Sequence, residues 1–257
     1  MLVALKQWWR QRAAAKLDIG AAQWQAAEYA LPFLDRLTDH ERTHLHRLAR
    51  EFIATKEWSG AAGLQLTAAM QLSIALQACL PILNLDTGLD AYRGWVGIVV
   101  YPGDFVIPRQ IVDEDGIVHE FDDTVLGEAW EGGPVLLSWF DDMNDVGDVN
   151  IVIHEFAHKL DMANGMADGM PALHGDMSRA AWIAAFKPAF EDFCRRVDLA
   201  EMSGEETAID PYAAEHPSEF FAVTSEVFFE APDLLMEEYP AVYAQLRQFY
   251  RQDPGSR

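Results

Sequence analysis

The sequence predicts an α+β fold, mainly helical, with a small, mostly antiparallel sheet placed just before one central helix. Three observations carry this. Apolar residues recur at helical spacing through the first third and again after residue 148. Between residues 94 and 139 the pattern shortens to apolar runs separated by turn residues. Half of the 257 residues are hydrophobic, enough to bury a substantial core. No repeat, low-complexity stretch or linker divides the chain, so it reads as one domain over 1–257. Its parts are a peripheral basic arm (1–20), a helical part (21–93), the sheet (94–139) and a second helical part (148–257).

Taken in order, residues 1–16 hold Lys6, Arg10, Arg12 and Lys16 and no acid. With Leu2, Val3, Leu5, Trp8 and Trp9 they read as a peripheral helix or loosely held arm. A surface that lies on a membrane or a partner is the alternative reading. Gln23–Phe33, Asp39–Thr55 and Leu66–Leu80 read as helices, the last closed by Pro81. Trp95–Tyr101 is a short apolar run ended by Pro102-Gly103. Phe105–Val112 and Ile117–Phe121 flank Asp113-Glu114-Asp115-Gly116, a hairpin signal. Thr124–Trp130 and Pro134–Trp139 flank Glu131-Gly132-Gly133, a second one. Pro134–Trp139 suits either an edge strand that pairs with an extended substrate or an interior strand. A helix over Asp148–Asn164 follows, then the loop 165–171. Ser178–Val197 is helical with a kink or break expected at Pro188. Pro217–Glu230, Pro232–Glu238 and Pro240–Tyr250 each open with Pro, whose missing N–H costs nothing there.

A net charge of −22 argues against a nucleic-acid partner, whose phosphates it would repel. Residues 66–84 are apolar but broken by Thr67, Gln71, Ser73 and Gln77, so stable membrane insertion is not expected. The N-terminal apolar run is short and interrupted by Lys6, Arg10 and Arg12, unlike a signal peptide. Cys79 and Cys194 stand alone, without a CxxC, and read as reduced, buried thiols of a cytoplasmic protein.

The segment His154-Glu155-Phe156-Ala157-His158 is an HExxH motif. On a helix, positions four apart share a face, so both imidazoles can grip one metal ion while Glu155 holds a water beside it. An amphipathic helix with two surface histidines is the plain alternative. Ile151, Val152, Ile153, Phe156 and Leu160 argue against it, because they make the helix a buried one. Asp161 shares the stripe of His154 and His158 and is placed to orient a ligand.

A catalytic zinc site needs a third protein ligand and an open position. The extended HExxHxxGxxH form is excluded, since Asp161 and Asn164 stand where its Gly and His would be. Glu191, Glu201, Glu205 and Glu206 read as solvated, and His174 lies in the loop; Glu215, His216 and Glu226 are further donors. Glu219 differs because it opens the apolar helix Phe220-Phe221-Ala222-Val223, where a buried acid requires a partner. Its position three residues into the helix also fits an N-terminal capping role.

These segments resemble the Mlc titration factor A family of bacterial zinc metallopeptidases. The resemblance lies in HEFAHKLD with Asn164-Gly165, Ala167-Asp168-Gly169 and Pro171, and in Asp210-Pro211-Tyr212-Ala213-Ala214 followed by Pro217, Glu219, Phe221-Ala222-Val223, Ser225-Glu226 and Phe228-Phe229. The ending Gln248-Phe249-Tyr250 to Gln252-Asp253-Pro254 fits as well, so the likeness runs from about residue 20 onward. It implies a zincin-like fold of the gluzincin type, similar to the catalytic domain of anthrax lethal factor, in a cytoplasmic protein. It implies one Zn²⁺ per chain held by His154, His158 and Glu219, with Glu155 as general base and Tyr212 assisting the transition state. Where thermolysin-like enzymes have an Asp four positions after the third ligand, this chain has Val223, which leaves Asp161 and Glu226 as the supporting acids. The expected activity is hydrolysis of a peptide or protein substrate, aminopeptidase-like, with a regulatory tie to the transcriptional repressor Mlc. The rival expectation is a non-catalytic protein that sequesters the repressor around a structural zinc.

Overall fold

The structure, a computed structural model, describes residues 2–112, 118–140 and 149–256, with side chains outside 2–7, 109–112 and 119–121. Its first part is α1 (Leu2–Ala14), α2 (Ala21–Tyr29), α3 (Asp39–Thr55) and α4 (Ala68–Cys79), with strand β1 (Glu57–Gly60) between the last two. Thr38 and Glu41 form a reciprocal capping box that starts α3, and Leu45, Leu48 and Phe52 then face the core. Helix α1 lies against α3, and Arg10 pairs with Asp90 at 2.8 Å.

The strands are β2 (Gly97–Pro102), β3 (Phe105–Val112), β4 (Val118–Val125), β5 (Gly127–Ala129) and β6 (Val135–Trp139). The α+β class holds, but the main sheet is mixed, in the order β1-β2-β6-β5. The pairs β1–β2 and β2–β6 are parallel, whereas β5–β6 and the separate ribbon β3–β4 are antiparallel. Parallel pairing needs a crossover, and α4 supplies it between β1 and β2. Strand β1 was not expected: Glu-Trp-Ser-Gly is too short to show alternation. Both hairpin strand pairs form as expected, although the turn at 113–116 lies outside the described residues. Of the two readings of Pro134–Trp139, the interior one holds; the edge on that side is β5.

Helix α5 (Ile151–Asp161) is buried along its whole length, which the apolar run around the motif requires. Asn150 caps it, its side-chain oxygen accepting from the Ile153 N–H at 2.9 Å. Phe156 anchors its rear face in an aromatic cluster, with ring centroids 5.5 Å from Phe52, 5.0 Å from Tyr92 and 5.8 Å from Trp95. Lys159 Nζ donates to the carbonyls of Trp130 and Gly133 at 2.5 and 2.9 Å, tying the β5–β6 turn to the same helix.

The chain then forms α6 (Arg179–Ser203), α7 (Pro217–Glu230), α8 (Pro232–Glu238) and α9 (Pro240–Tyr250). Helix α6 continues through Pro188, so of the expected kink or break the break does not occur. A mid-helix proline costs about 3 kcal/mol. Trp182 and Phe186 before it and Phe193 after it are buried, each contributing about 1.5–3 kcal/mol, which offsets that cost. Trp182 and Phe186 pack on Phe221, and Phe193 packs on Phe220, so α6 supports α7. Cys79 is buried and Cys194 half-buried, both as free thiols. Among the described residues no helix is long and apolar enough to cross a membrane.

Because Phe156 touches three rings and is fully buried, Phe156→Ala is expected to lower unfolding free energy by about 3–5 kcal/mol, read from denaturant melts. A loss under about 1 kcal/mol would mean that the cluster does not hold α5.

Candidate metal centre

Packing of α7 across α5 brings three donor atoms together. His154 Nε2 and His158 Nε2 lie 3.1 Å apart, and Glu219 Oε2 lies 3.0 Å from the first and 3.1 Å from the second. Tetrahedral coordination with bonds of about 2.0–2.1 Å places ligand atoms about 3.3 Å apart. Two imidazoles and one carboxylate are a donor set that suits zinc, and the spacing accommodates it. These three residues form the one metal-competent cluster found among the described residues.

Glu219 points at the histidines and not back at its own helix N-terminus. The cap there comes from His216, whose Nδ1 accepts from the Ser218 N–H at 3.2 Å. Glu226, two turns along α7, faces His154 Nδ1 at 2.7 Å with one oxygen and accepts the Asn150 N–H at 2.7 Å with the other. A carboxylate can only accept here, so His154 donates from Nδ1 to Glu226 and turns its Nε2 toward Glu219. Asn150 also donates from its side chain to Glu230 at 2.7 Å, so one residue joins both helices.

Asp161 is fully buried, but its carboxylate accepts the Gly169 N–H at 2.8 Å and makes no hydrogen bond to either histidine. Gly169 is a junction. Its carbonyl accepts from Trp182 Nε1 at 3.0 Å, its φ is +78°, and a Cβ there would run into the Pro217 carbonyl. Asp161 therefore holds the loop after α5 against the start of α7. Burial pushes the Asp161 carboxyl up to about 6, against the lowering effect of the Gly169 N–H.

Glu155 is 4% exposed and its Oε2 has no hydrogen-bond partner. Burial raises its carboxyl to about 7, opposed by the neighbouring His154 and His158. Burial also lowers His154, but the Glu219 and Glu226 carboxylates outweigh it and hold the imidazole well above its ordinary value. Burial acts to raise Glu219; its two histidine partners overcome that and hold it far below the usual carboxylate range. A cleft of about 440 Å³ opens onto this group, lined by His154, Glu155, Tyr212, Glu215, Asp123 and the backbone of Gly127 among others. Tyr212 is 45% exposed, with its ring centroid 6.0 Å from that of His154. The Asp210 side chain accepts the Tyr212 N–H at 2.9 Å and fixes the short 3₁₀ turn Pro211–Ala214. A larger hollow of about 860 Å³ adjoins the cleft, but none of His154, Glu155, His158, Tyr212 or Glu219 lines it.

The other donors lie elsewhere. His174 Nε2 bonds the Phe249 carbonyl at 2.7 Å, and Glu191 pairs with Lys187 on the surface of α6. Glu201, Glu205 and Glu206 line the adjoining hollow. Asn150, Gly169 and Gly127 were not foreseen. An Asn directly before an apolar run is a helix-start signal that marks Asn150; nothing local marks the two glycines.

The profile of the family described as Glucose-regulated metallo-peptidase M90 matches residues 5–251. The chain belongs to this family. It is similar to Mlc titration factor A of Serratia proteamaculans, 41% identical over 241 residues, 92% of this chain and 89% of the relative. The same-named protein of Pectobacterium atrosepticum is 40% identical over 239 residues, covering 91% and 87%. That of Edwardsiella ictaluri is 40% identical over 253 residues, covering 97% and 94%. The cluster just described is thus the metal-competent group of an M90 chain.

Since His154 is held protonated near neutrality, a cation entering this M90 site must expel a proton. Calorimetric titration with a divalent metal in buffers of different ionisation enthalpy is expected to show proton release, with affinity falling as pH drops. Glu226→Gln is expected to weaken metal affinity about 10–100-fold. Binding without proton release would contradict the charge assignment.

Proposed function

We propose that this chain is a zinc-dependent peptidase in which His154, His158 and Glu219 hold the metal. The convergence of their three donor atoms, beside a cleft that His154 and the buried carboxylate of Glu155 line, supports this reading most strongly. Zinc held there would supply Lewis-acid polarisation of the substrate carbonyl and of a water molecule. Three protein ligands fit a catalytic zinc better than a structural one, which takes four.

Glu155 takes the proton from the attacking water and returns it to the leaving amine. With its carboxyl near 7 before any cation is added, a nearby positive charge shifts it toward the ionised, proton-accepting form. The Tyr212 hydroxyl donates to the oxyanion as the carbonyl becomes tetrahedral. Burial, followed by Glu219 and Glu215, pushes that phenol above its ordinary value, so it stays protonated and able to donate. Glu226 and Asp161 act through others, the first by orienting His154 and the second by holding the loop at Gly169. An extended peptide fits along the outer edge of β5, which borders the cleft. The carboxylates of Asp123, Asp210 and Glu215 along the cleft favour a substrate bearing an ammonium group. That supports an aminopeptidase-like preference.

The names of the relatives supply a second strand. Proteins called Mlc titration factor A are similar along most of this chain, which supports a regulatory interaction with Mlc. A sequestering protein without catalysis would have no use for an ionisable buried acid placed over an open cleft. The peptidase reading therefore stands first, with repressor binding beside it.

Glu155→Gln is expected to keep one metal per chain and lose at least about 100-fold in hydrolysis of short peptides. Glu219→Ala is expected to lose the metal itself under mild chelation. Acetylating the substrate N-terminus separates amino- from endopeptidase action. A Glu155→Gln protein that still binds repressor in a pull-down assigns that interaction to a surface independent of catalysis. Undiminished peptide hydrolysis by Glu155→Gln would remove Glu155 from its role.

A further inference from the structure

Strand β5 passes directly over the Glu155 side chain, and the residue at the crossing is Gly127. A Cβ placed there would lie 2.5 Å from Glu155 Oε1, 2.7 Å from its Cγ and 2.8 Å from its Cδ. All three are closer than van der Waals contact allows. The φ of Gly127 is not positive, so its backbone does not demand glycine; Glu155 alone does.

Both backbones are held in place by other contacts. Gly127 pairs with Leu137 of β6, and the flanking Leu126 carbonyl accepts the Ser138 N–H at 2.8 Å. On the other side α5 is buried throughout and pinned by Phe156. What can move is the end of the Glu155 side chain, whose Oε2 has no hydrogen bond to retain it.

We propose that Gly127 is a positioning residue: the missing side chain in the edge strand is what lets the Glu155 carboxylate sit against β5, facing the cleft. This deepens the peptidase reading and rests on Glu155 as general base. A methyl group at position 127 leaves the fold and the three donor atoms in place and turns the carboxylate out of line. A shift of about 1 Å in a reacting group costs on the order of 100-fold in rate.

The test is a double-substitution cycle on the full chain loaded with Zn²⁺, using Gly127→Ala, Glu155→Asp and the pair. Gly127→Ala is expected to keep wild-type metal content and to lower kcat about 100-fold with KM within about threefold. Glu155→Asp lowers kcat in the wild-type background. In the Gly127→Ala background it is expected to cost less than about threefold, because the methyl group has already displaced the carboxylate that the shortening would withdraw. Wild-type kcat in Gly127→Ala, or strictly additive losses in the pair, would overturn the proposal.

If Gly127→Ala does not fold, Gly127→Ala/Glu155→Ala decides: folding of the pair supports the steric link, and failure of both overturns it. If the wild-type protein hydrolyses no peptide, the peptidase reading fails by itself. Crystal structures then judge Gly127 separately. A displaced Glu155 carboxylate in Gly127→Ala supports the positioning role, and an unmoved carboxylate with a shifted β5 overturns it.

Discussion

Two imidazole nitrogens and one carboxylate oxygen meet within 3.1 Å of one another where α5 crosses α7, in the buried interior of the molecule. Such a grouping is costly without a cation, because three groups with lone pairs compete for few protons. The surrounding structure is arranged to tolerate it. Glu226 accepts a hydrogen bond from His154 Nδ1, Asn150 ties Glu226 and Glu230 to the start of α5, and Asp161 fastens the next loop to α7 through Gly169.

Rigidity comes from the aromatic residues on either side. Phe156 locks the rear of α5 to Phe52, Tyr92 and Trp95, while Phe220 and Phe221 lock α7 to α6. The donor atoms sit at the seam between these two clusters, so their spacing is set by core packing and not by the loops. Helices place functional groups more reproducibly than loops do. Tyr212, on a short 3₁₀ turn and nearly half exposed, is the one group of the proposed machinery outside that rigid frame.

Much of this was legible in the sequence, for physical reasons. His154 and His158 share a face because four residues span just over one turn, and the apolar residues around them announce a buried helix. The three helices that open with Pro begin and end where their punctuation says. Glu219 stood out because an acid opening an apolar helix needs a partner. What stayed hidden depends on contacts between distant segments. Strand β1 carries no alternation in four residues and exists because β2 accepts it in parallel. The edge position of β5 follows from strand order, which no local pattern encodes. Gly127 looks like any glycine before a turn until Glu155 is found beneath it.

Zinc K-edge X-ray absorption on the purified chain tests the central claim most directly, since it reads the atoms around the metal without reference to activity. The account predicts a nitrogen and oxygen shell at about 2.0–2.1 Å, with the outer-shell scattering of two imidazoles and no sulfur. A sulfur shell near about 2.3 Å, or a spectrum lacking imidazole scattering, would place the metal elsewhere and contradict it.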